Sequence, residues 1–317
     1  MSDLTLRISA INAEAKDVLS FELTSLDGQD LPPFKPGAHL EIHLPNGLIK
    51  HYSLSNNSVE RNRYVVGVSL SPVSRGGSSF LHGGMRVGDS IRTSLPRNHF
   101  PLIESAERYD FIAGGIGITP ILAMIRWCVD NGKDWHLHYL ARSRLRAAFF
   151  EELQQLSAHK VSYHFLDEQD GQPLDIEGAV SAMPWNSHIY CCGPGPLMER
   201  VKDATAERPA EHAHFEWFSA APKVDSELAT SFSVIARRSG LTVSIPPDQS
   251  ILEVLENSGI GLPFSCREGL CSSCETRVIA GIPDHRDLVL SEQQKATNQT
   301  MLICVSRSKS EVLELDV

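Results

Sequence analysis

The chain has 317 residues, 42% of them hydrophobic and 21% charged, an ordinary globular composition spread over too many residues for one compact core. Long disorder, a fibrous repeat and a coiled-coil rod are excluded on those numbers. The net charge of -10, from 29 Lys and Arg against 39 Asp and Glu, makes a poor nucleic-acid binder, since phosphate contacts need basic surface.

The opening segment MSDLTLRISAINAEAKD carries no charged-then-apolar leader, and no apolar run approaches the ~18 residues that span a bilayer. A cytoplasmic protein with no membrane and no nucleic-acid partner is expected. Leu4, Leu6 and Ile8 alternate, as do Leu40, Ile42 and Leu44, and the second run ends at the turn signal Pro45-Asn46-Gly47. RYVVGVSL and SIRTSL add further short β-rich segments, and no helical period shows over the first hundred residues. The pattern predicts an antiparallel β-barrel or sandwich over residues 1–105.

From Tyr109 the pattern changes. YDFIAGG reads as a strand, and ITPILAMIRWCVDNG as an amphipathic helix with Pro120 in its first turn and Gly132 past its end. WHLHYLARS, VSYHFLD and SHIYCCG read as strands, AAFFEELQQL and GPLMERVKDATAE as helices. That alternation predicts an α/β domain with a parallel sheet over residues 106–220. The small, polar stretch Ser219 to Ser231 reads as a linker centred on 221–230. A third unit, 231–317, starts with SFSVIARR and LTVSIPP as a hairpin and SILEVLENSG as a short helix.

Seven cysteines, an odd number, argue against a disulfide framework and for metal or redox chemistry. Cys128 falls on the inner stripe of a helix, and Cys191 reads as a buried strand residue. Cys266, Cys271, Cys274 and Cys304 are spaced C-x4-C-x2-C, then 29 residues, then C, the spacing of a plant-type [2Fe-2S] ferredoxin. Three thiolates on one tight loop wrap the cluster and a fourth closes it from a distant strand. Gly269 lets that loop turn while its N–H groups point at sulfur. Structural zinc prefers two C-x2-C pairs, and here only Cys271 and Cys274 form one.

Gly114-Gly115-Ile116-Gly117-Ile118-Thr119-Pro120 joins a strand to a helix, where glycines let a pyrophosphate approach backbone N–H groups. It departs from the G-x-G-x-x-G fingerprint and is a weak signal alone. Cys191-Cys192-Gly193-Pro194-Gly195-Pro196 is a second strand-to-helix turn of the same sheet, so both fall where parallel sheets bind ligands. The 13 histidines show no H-E-x-x-H spacing, and there is no G-x-S-x-G elbow.

Two further segments, His51-Tyr52-Ser53-Leu54-Ser55 and Arg75-Gly76-Gly77-Ser78-Ser79, are unspecific alone. Together with the features above, they make nearly the whole chain resemble the phthalate dioxygenase reductase family. Its flavin and nucleotide portions are similar to the wider ferredoxin–NADP reductase superfamily. The resemblance implies a flavin barrel, a nucleotide domain and a C-terminal β-grasp ferredoxin domain, with FMN, a [2Fe-2S] cluster and NADH as cofactors. In the family's Arg-x-Tyr-Ser motif Tyr52 and Ser53 line the flavin, with Leu54 beside them and Ser53 near its reactive nitrogen. Lys50 replaces the arginine, keeping the charge but not the fork. Arg75, Gly76, Gly77 and Ser78 match the flavin-phosphate loop, and Pro96 to Phe100 resembles a second flavin-contacting segment.

The family's nucleotide turn matches Gly114, Gly115, Gly117 and Thr119, and its Cys-Gly-Pro motif matches Cys192, Gly193 and Pro194. Glu216-Trp217-Phe218 resembles the Glu-x-Phe end of the nucleotide domain, placing Glu216 and Phe218 beside the flavin. Arg142 and Ser143 fall where the adenosine ribose is read; with no acid and two arginines nearby, NADPH is the alternative to the family's NADH. The implied catalytic set is Ser53, Thr119, Cys192, Glu216 and Phe218. The implied role is that of a monomeric reductase passing electrons to a separate Rieske-type oxygenase. A reductase for a diiron hydroxylase and a [2Fe-2S] sensor or carrier are the alternatives. A sensor predicts degraded flavin or nucleotide motifs, and only Lys50 departs visibly.

Overall fold

The computed structural model describes residues 3–71, 76–218 and 230–317 and divides into two compact units, Met1–Phe218 and Ser219–Val317. The expected linker at 221–230 lies, apart from Thr230, outside the described residues.

The first unit opens with β1 (Leu4–Ala15), β2 (Val18–Ser25), β3 (Ala38–His43), β4 (Ile49–Ser53) and β5 (Tyr64–Ser69), then α1 (Gly77–Gly84), β6 (Ser90–Thr93) and β7 (Arg97–Asn98). The sheet runs β4-β3-β6-β1-β2-β5, and an antiparallel bridge between Leu54 and Val66 joins its two ends into a barrel. The β1–β2 turn is two residues long, with Asp17 at φ 64°, a conformation short polar side chains tolerate. Every second residue faces inward, so Leu6, Ile8, Phe21, Leu23, Leu40, Ile42 and Val66 form the core. The sequence showed no helix here, yet α1 forms. GSSFLHGG has almost no apolar period, and the helix is held by Leu81 packing into the barrel core rather than by propensity.

The chain continues with β8 (Arg108–Gly114), α2 (Ile118–Asp130), β9 (Asp134–Ala141), α3 (Phe150–Ser157), β10 (Val161–Phe165), α4 (Ile176–Ala182), β11 (His188–Gly193), α5 (Gly195–Ala204) and β12 (Ala213–Trp217). All neighbours in the order β10-β9-β8-β11-β12 are parallel. The order reverses between β8 and β11, which places the topological switch point there. One face packs Tyr109, Phe111, Leu137, Tyr190 and Cys192 against α2. The other packs Ile112, Ile189 and Cys191 against α4 and α5. Cys191 and Cys192 thus point to opposite faces, and Cys128 is buried on α2. The helix expected from Ala147 begins only at Phe150, because Phe149 adopts φ 57° and ends any earlier turn. Helix α4 was not legible: it has only seven residues, preceded by the N-cap Asp175, whose carboxylate accepts from the Gly178 N–H at 3.1 Å.

Barrel and parallel sheet meet closely. A Cβ on Gly67 of β5 would lie 2.6 Å from Thr119 Cγ2 at the start of α2. The Arg126 guanidinium of α2 donates to the Ser55 carbonyl and pairs with Glu152, and the Ile103 N–H donates to the Tyr190 hydroxyl at 2.8 Å.

The second unit contains β13 (Phe232–Ala236), β14 (Leu241–Ile245), α6 (Ile251–Asn257), β15 (Glu275–Ala280), β16 (Pro283–Asp284), α7 (Glu292–Thr297), β17 (Thr300–Leu302), β18 (Arg307–Ser308) and β19 (Val312–Leu315). The expected hairpin is β13–β14, and the main sheet runs β14-β13-β19-β15-β17, with β13 and β19 parallel. Helix α6 starts with a capping box of Ser250 and Glu253. It lays Ile251, Leu252 and Leu255 against Val234, Leu302 and Leu313, the grasp of a helix by a mixed sheet. Among the described residues no helix is long and apolar enough to cross a membrane.

Candidate redox site

Two sites emerge, one in each unit. The first is a recess where the barrel meets the switch point. Ser53, last residue of β4, donates from Oγ to Glu216 Oε2 of β12 at 3.1 Å. Glu216 pairs in register with Cys192 of β11, and the thiol is fully buried. Glu216 keeps part of its surface open, yet it is ringed by protein. Desolvation pushes its carboxyl up to about 8 against a small opposing pull from the Ser53 hydroxyl. Burial, with the Glu216 charge nearby, holds the Cys192 thiol well above its ordinary range, so it is a neutral group there. Phe218, just past β12, is 39% exposed. Burial likewise raises the Tyr52 phenol.

The two glycine turns touch. A Cβ on Gly117 would sit 2.1 Å from the Cys192 carbonyl oxygen, one on Gly114 2.6 Å from Pro194 Cδ, and one on Gly193 3.0 Å from Gly114 Cα. A side chain at Gly117 would have to displace backbone, and one at Gly114 or Gly193 would first have to displace the Pro194 ring or the Leu197 side chain. Gly115, at φ 54°, differs: a Cβ there meets nothing within 4 Å, leaving open space over the turn. That is the cradle a pyrophosphate would fill. Thr119 is buried with its hydroxyl donating to the Ile116 carbonyl at 2.9 Å, so it can offer a ligand only an acceptor lone pair. Pro194 precedes the first turn of α5. At the end of β9, Ser143 is half-buried and Arg142 exposed, while Arg144 is held by Glu168 at 3.2 Å and stacks over Phe150.

On the barrel, the Lys50 side chain lies along Gly77 at the start of α1, 2.9 Å from where a Gly77 Cβ would be. Gly76 is at φ 96°, and Ser78 Oγ accepts from the Ser71 N–H at 3.2 Å. Lys50, Gly76, Gly77 and Ser78 are therefore brought together; Arg75 lies outside the described residues. Leu54 is fully buried in the barrel core, so its side chain serves closure of the barrel. Sequence reasoning missed Gly67, the strand glycine that lets Thr119 reach the barrel. A lone glycine inside YVVGVS was its signal.

The second site is the cysteine loop. Arg267, Gly269 and Ser272 all have positive φ, 56°, 72° and 54°, coiling the backbone inward. Cys266 Sγ accepts from the N–H groups of Glu268 at 3.3 Å and Leu270 at 3.4 Å, and Cys271 Sγ from the Cys266 N–H at 3.4 Å. Cys304 arrives just after β17. The thiols touch as Cys266 with Cys271 and Cys304, and Cys274 with Cys304, and all four are free. The Cys271 and Cys304 thiols, helped by the Glu268 and Leu270 N–H groups, hold Cys266 far below the ordinary thiol range. Among the described residues no three metal-binding side chains converge on a single-ion position. A two-iron cluster needs two thiolates per iron instead, and the contacts between Cys266 and Cys271 and between Cys274 and Cys304 supply two such pairs.

Comparison with known proteins places a matching domain in each unit. Residues 234–309 match the model of the 2Fe-2S iron-sulfur cluster binding domain, and residues 111–203 that of the oxidoreductase NAD-binding domain. The chain is 45% identical to the phenoxybenzoate dioxygenase subunit beta of Ectopseudomonas oleovorans, covering 100% of this chain and 98% of that one. It is 41% identical to the phthalate dioxygenase reductase of Burkholderia cepacia over 99% of this chain and 97% of that one. A solved phthalate dioxygenase reductase, described as a modular structure for electron transfer from pyridine nucleotides to [2Fe-2S], superposes with TM-score 0.75 at 40% identity, covering 100% and 98% of the two chains. An intact type IV self-sufficient cytochrome P450 monooxygenase matches with TM-score 0.90 at 34% identity, covering 99% of this chain but spanning only 41% of that protein's length. With a barrel, an NAD-binding parallel sheet and a [2Fe-2S] ferredoxin domain matched end to end, this chain belongs to the phthalate dioxygenase reductase family of oxidoreductases.

Proposed function

We propose that the chain is the reductase component of a Rieske-type oxygenase or demethylase system, passing electrons from NADH through FMN and the [2Fe-2S] cluster to a separate oxygenase. The observation that carries this reading is the Ser53–Glu216 hydrogen bond. It ties the end of a barrel strand to the carboxyl edge of the parallel sheet, beside the glycine cradle. A flavin in that recess would have the nicotinamide end of a dinucleotide as its neighbour. FMN is preferred to FAD on the family resemblance.

When bound, a flavin takes two electrons as hydride and returns them singly, which couples a nicotinamide to a one-electron cluster. The protein's own part is binding and orientation. Lys50, Arg75, Gly76, Gly77 and Ser78 would hold the flavin phosphate, and Tyr52 with the Leu54 backbone its ring. Gly114, Gly115, Gly117, Gly193 and Pro194 would hold the dinucleotide, with Arg142 and Ser143 at its adenosine end. Ser53, Thr119, Cys192, Glu216 and Phe218 line the reacting face. Ser53 supplies a hydroxyl, Glu216 a carboxyl that keeps its proton near neutral pH, Cys192 an uncharged wall and Phe218 a cover. Cys266, Cys271, Cys274 and Cys304 would bind the irons. The acceptor is favoured energetically, since plant-type clusters lie near about -400 mV and Rieske centres at about -150 to +300 mV. The chain acts as a monomer in this reading.

The test is anaerobic mixing of the NADH-reduced protein with a purified Rieske-type oxygenase, followed at the Rieske absorption bands. Reduction at a rate proportional to reductase supports the proposal; no reduction by a fully loaded reductase refutes the Rieske acceptor. The likeness to a self-sufficient cytochrome P450 favours one second reading, a haem monooxygenase as acceptor, and the same mixing with a ferric P450 tests it.

A further inference from the structure

The segment running from β16 to Leu290 lies directly behind the cysteine loop. The Leu288 N–H donates to the Gly269 carbonyl at 3.2 Å. A Cβ on Gly269 would lie 3.2 Å from Asp287 Cα and 3.4 Å from its Cβ. On the other side the Arg286 N–H donates to Ser306 Oγ at 3.2 Å, two residues past Cys304, and β16 pairs with β18. One short segment therefore braces both stretches of chain that deliver the thiols.

Within it sit two buried polar groups that the electron path does not use. The Asp287 side chain has no exposed surface. Its Oδ1 accepts from the N–H groups of Val289 at 3.1 Å and Leu290 at 2.8 Å. Its Oδ2 has no hydrogen-bond partner among the described residues, nor has either ring nitrogen of His285, whose side chain is 9% exposed. His285 Nδ1 lies 3.8 Å from Oδ2, too long for a hydrogen bond but within ion-pair reach. A buried carboxylate without a partner is costly, and so is a buried imidazole with two orphaned nitrogens. His285 Nδ1 and Asp287 Oδ2 face each other across that 3.8 Å gap, and an imidazolium at His285 would set its charge against the carboxylate.

We propose that His285 and Asp287 form a buried ion pair that sets the charge behind the [2Fe-2S] loop, and with it how readily the cluster accepts its electron. The proposal deepens the reading of this loop as the cluster site and rests on it. Reduction adds one negative charge to the cluster, so a nearby carboxylate opposes it and a nearby imidazolium offsets that opposition, in a setting where water screens little. Both are positioning residues, acting across Gly269 rather than on iron.

The test uses the full-length protein loaded with flavin and cluster, titrated anaerobically while the reduced-cluster EPR signal is followed. Asp287→Asn keeps the Oδ1 acceptor but removes the charge, and is expected to raise the cluster midpoint potential. His285→Gln leaves the carboxylate uncompensated and is expected to lower it. The double variant is expected to return towards the starting value, because the pair acts as a unit. Unmoved potentials, or shifts of one sign in both single variants, overturn the proposal. Should Asp287→Asn fail to hold iron, His285→Gln, which spares both amide bonds of Asp287, decides alone; iron lost from both overturns it in favour of a folding role. A wild-type chain without iron and sulfide would instead refute the cluster reading itself, and iron analysis separates the two failures.

Discussion

Replacing Glu216 with glutamine isolates the buried acid of the recess. Its carboxyl titrates at about 8 in the folded protein against an ordinary 4.5. The folded state therefore holds a proton that the unfolded chain has released between those two values. Stability contributed by the protonated acid is complete below pH 4.5 and declines as pH rises towards 8, levelling above it. At about 1.4 kcal/mol per unit, the 4.5-to-8 displacement sets a ceiling of about 5 kcal/mol, reduced because the group keeps some access to solvent. A third of that ceiling already moves the melting temperature of a 218-residue unit by about 3–6 °C. Glutamine has no charge to lose, so the variant should match wild type at pH 4.5 and melt higher than wild type at pH 8.5. A flavin bound beside Glu216 would add desolvation and act in the same direction. Ser53→Ala, which removes the one interaction lowering this group, should push the wild-type midpoint higher still. Differential scanning calorimetry across pH 4.5–9 reads all three proteins. Parallel pH profiles for wild type and Glu216→Gln would refute a buried, protonated carboxyl.

Gly117→Ala drives a methyl to within 2.1 Å of the Cys192 carbonyl, so the two turns must separate. We expect a loss of about 1–3 kcal/mol in stability and a KM for NADH at least tenfold higher, measured by steady-state kinetics. Cys271→Ser should abolish electron transfer to the acceptor while NADH still bleaches the flavin, seen by stopped-flow absorption. Loss of flavin reduction as well would contradict separate roles for the two centres. From Ser231 on, 8 Lys and Arg stand against 11 Asp and Glu, which suits a basic docking patch on the oxygenase. Turnover with the partner should fall as salt rises, and a salt-independent rate would contradict that attraction.

Legibility from sequence followed the range of the interactions. The cluster site was readable because three of its four ligands lie within nine residues and must share one loop. The strand-to-helix turns at Gly114 and Gly193 were readable for the same local reason, and their contact followed from a parallel sheet. The bond between Ser53 and Glu216 spans 163 residues; nothing local in either segment announces it, and only the family resemblance placed both beside the flavin. Helix α1 escaped because its sequence lacks a period and its stability comes from Leu81 in the barrel. The late start of α3 escaped because Phe149 takes a backbone conformation that its side chain disfavours. His285 and Asp287 carry no spacing signal at all, since their meaning comes from Gly269, reached through the fold.

The central claim is that one chain carries electrons from a nicotinamide through a flavin to the cluster. Anaerobic titration of the purified protein with NADH, followed by absorption, tests it most directly. The flavin and iron–sulfur bands should both be present and bleach together, complete at about 1.5 equivalents, since three electrons are taken at two per hydride. Absence of flavin bands, or cluster bands that persist after the flavin has bleached, would contradict it.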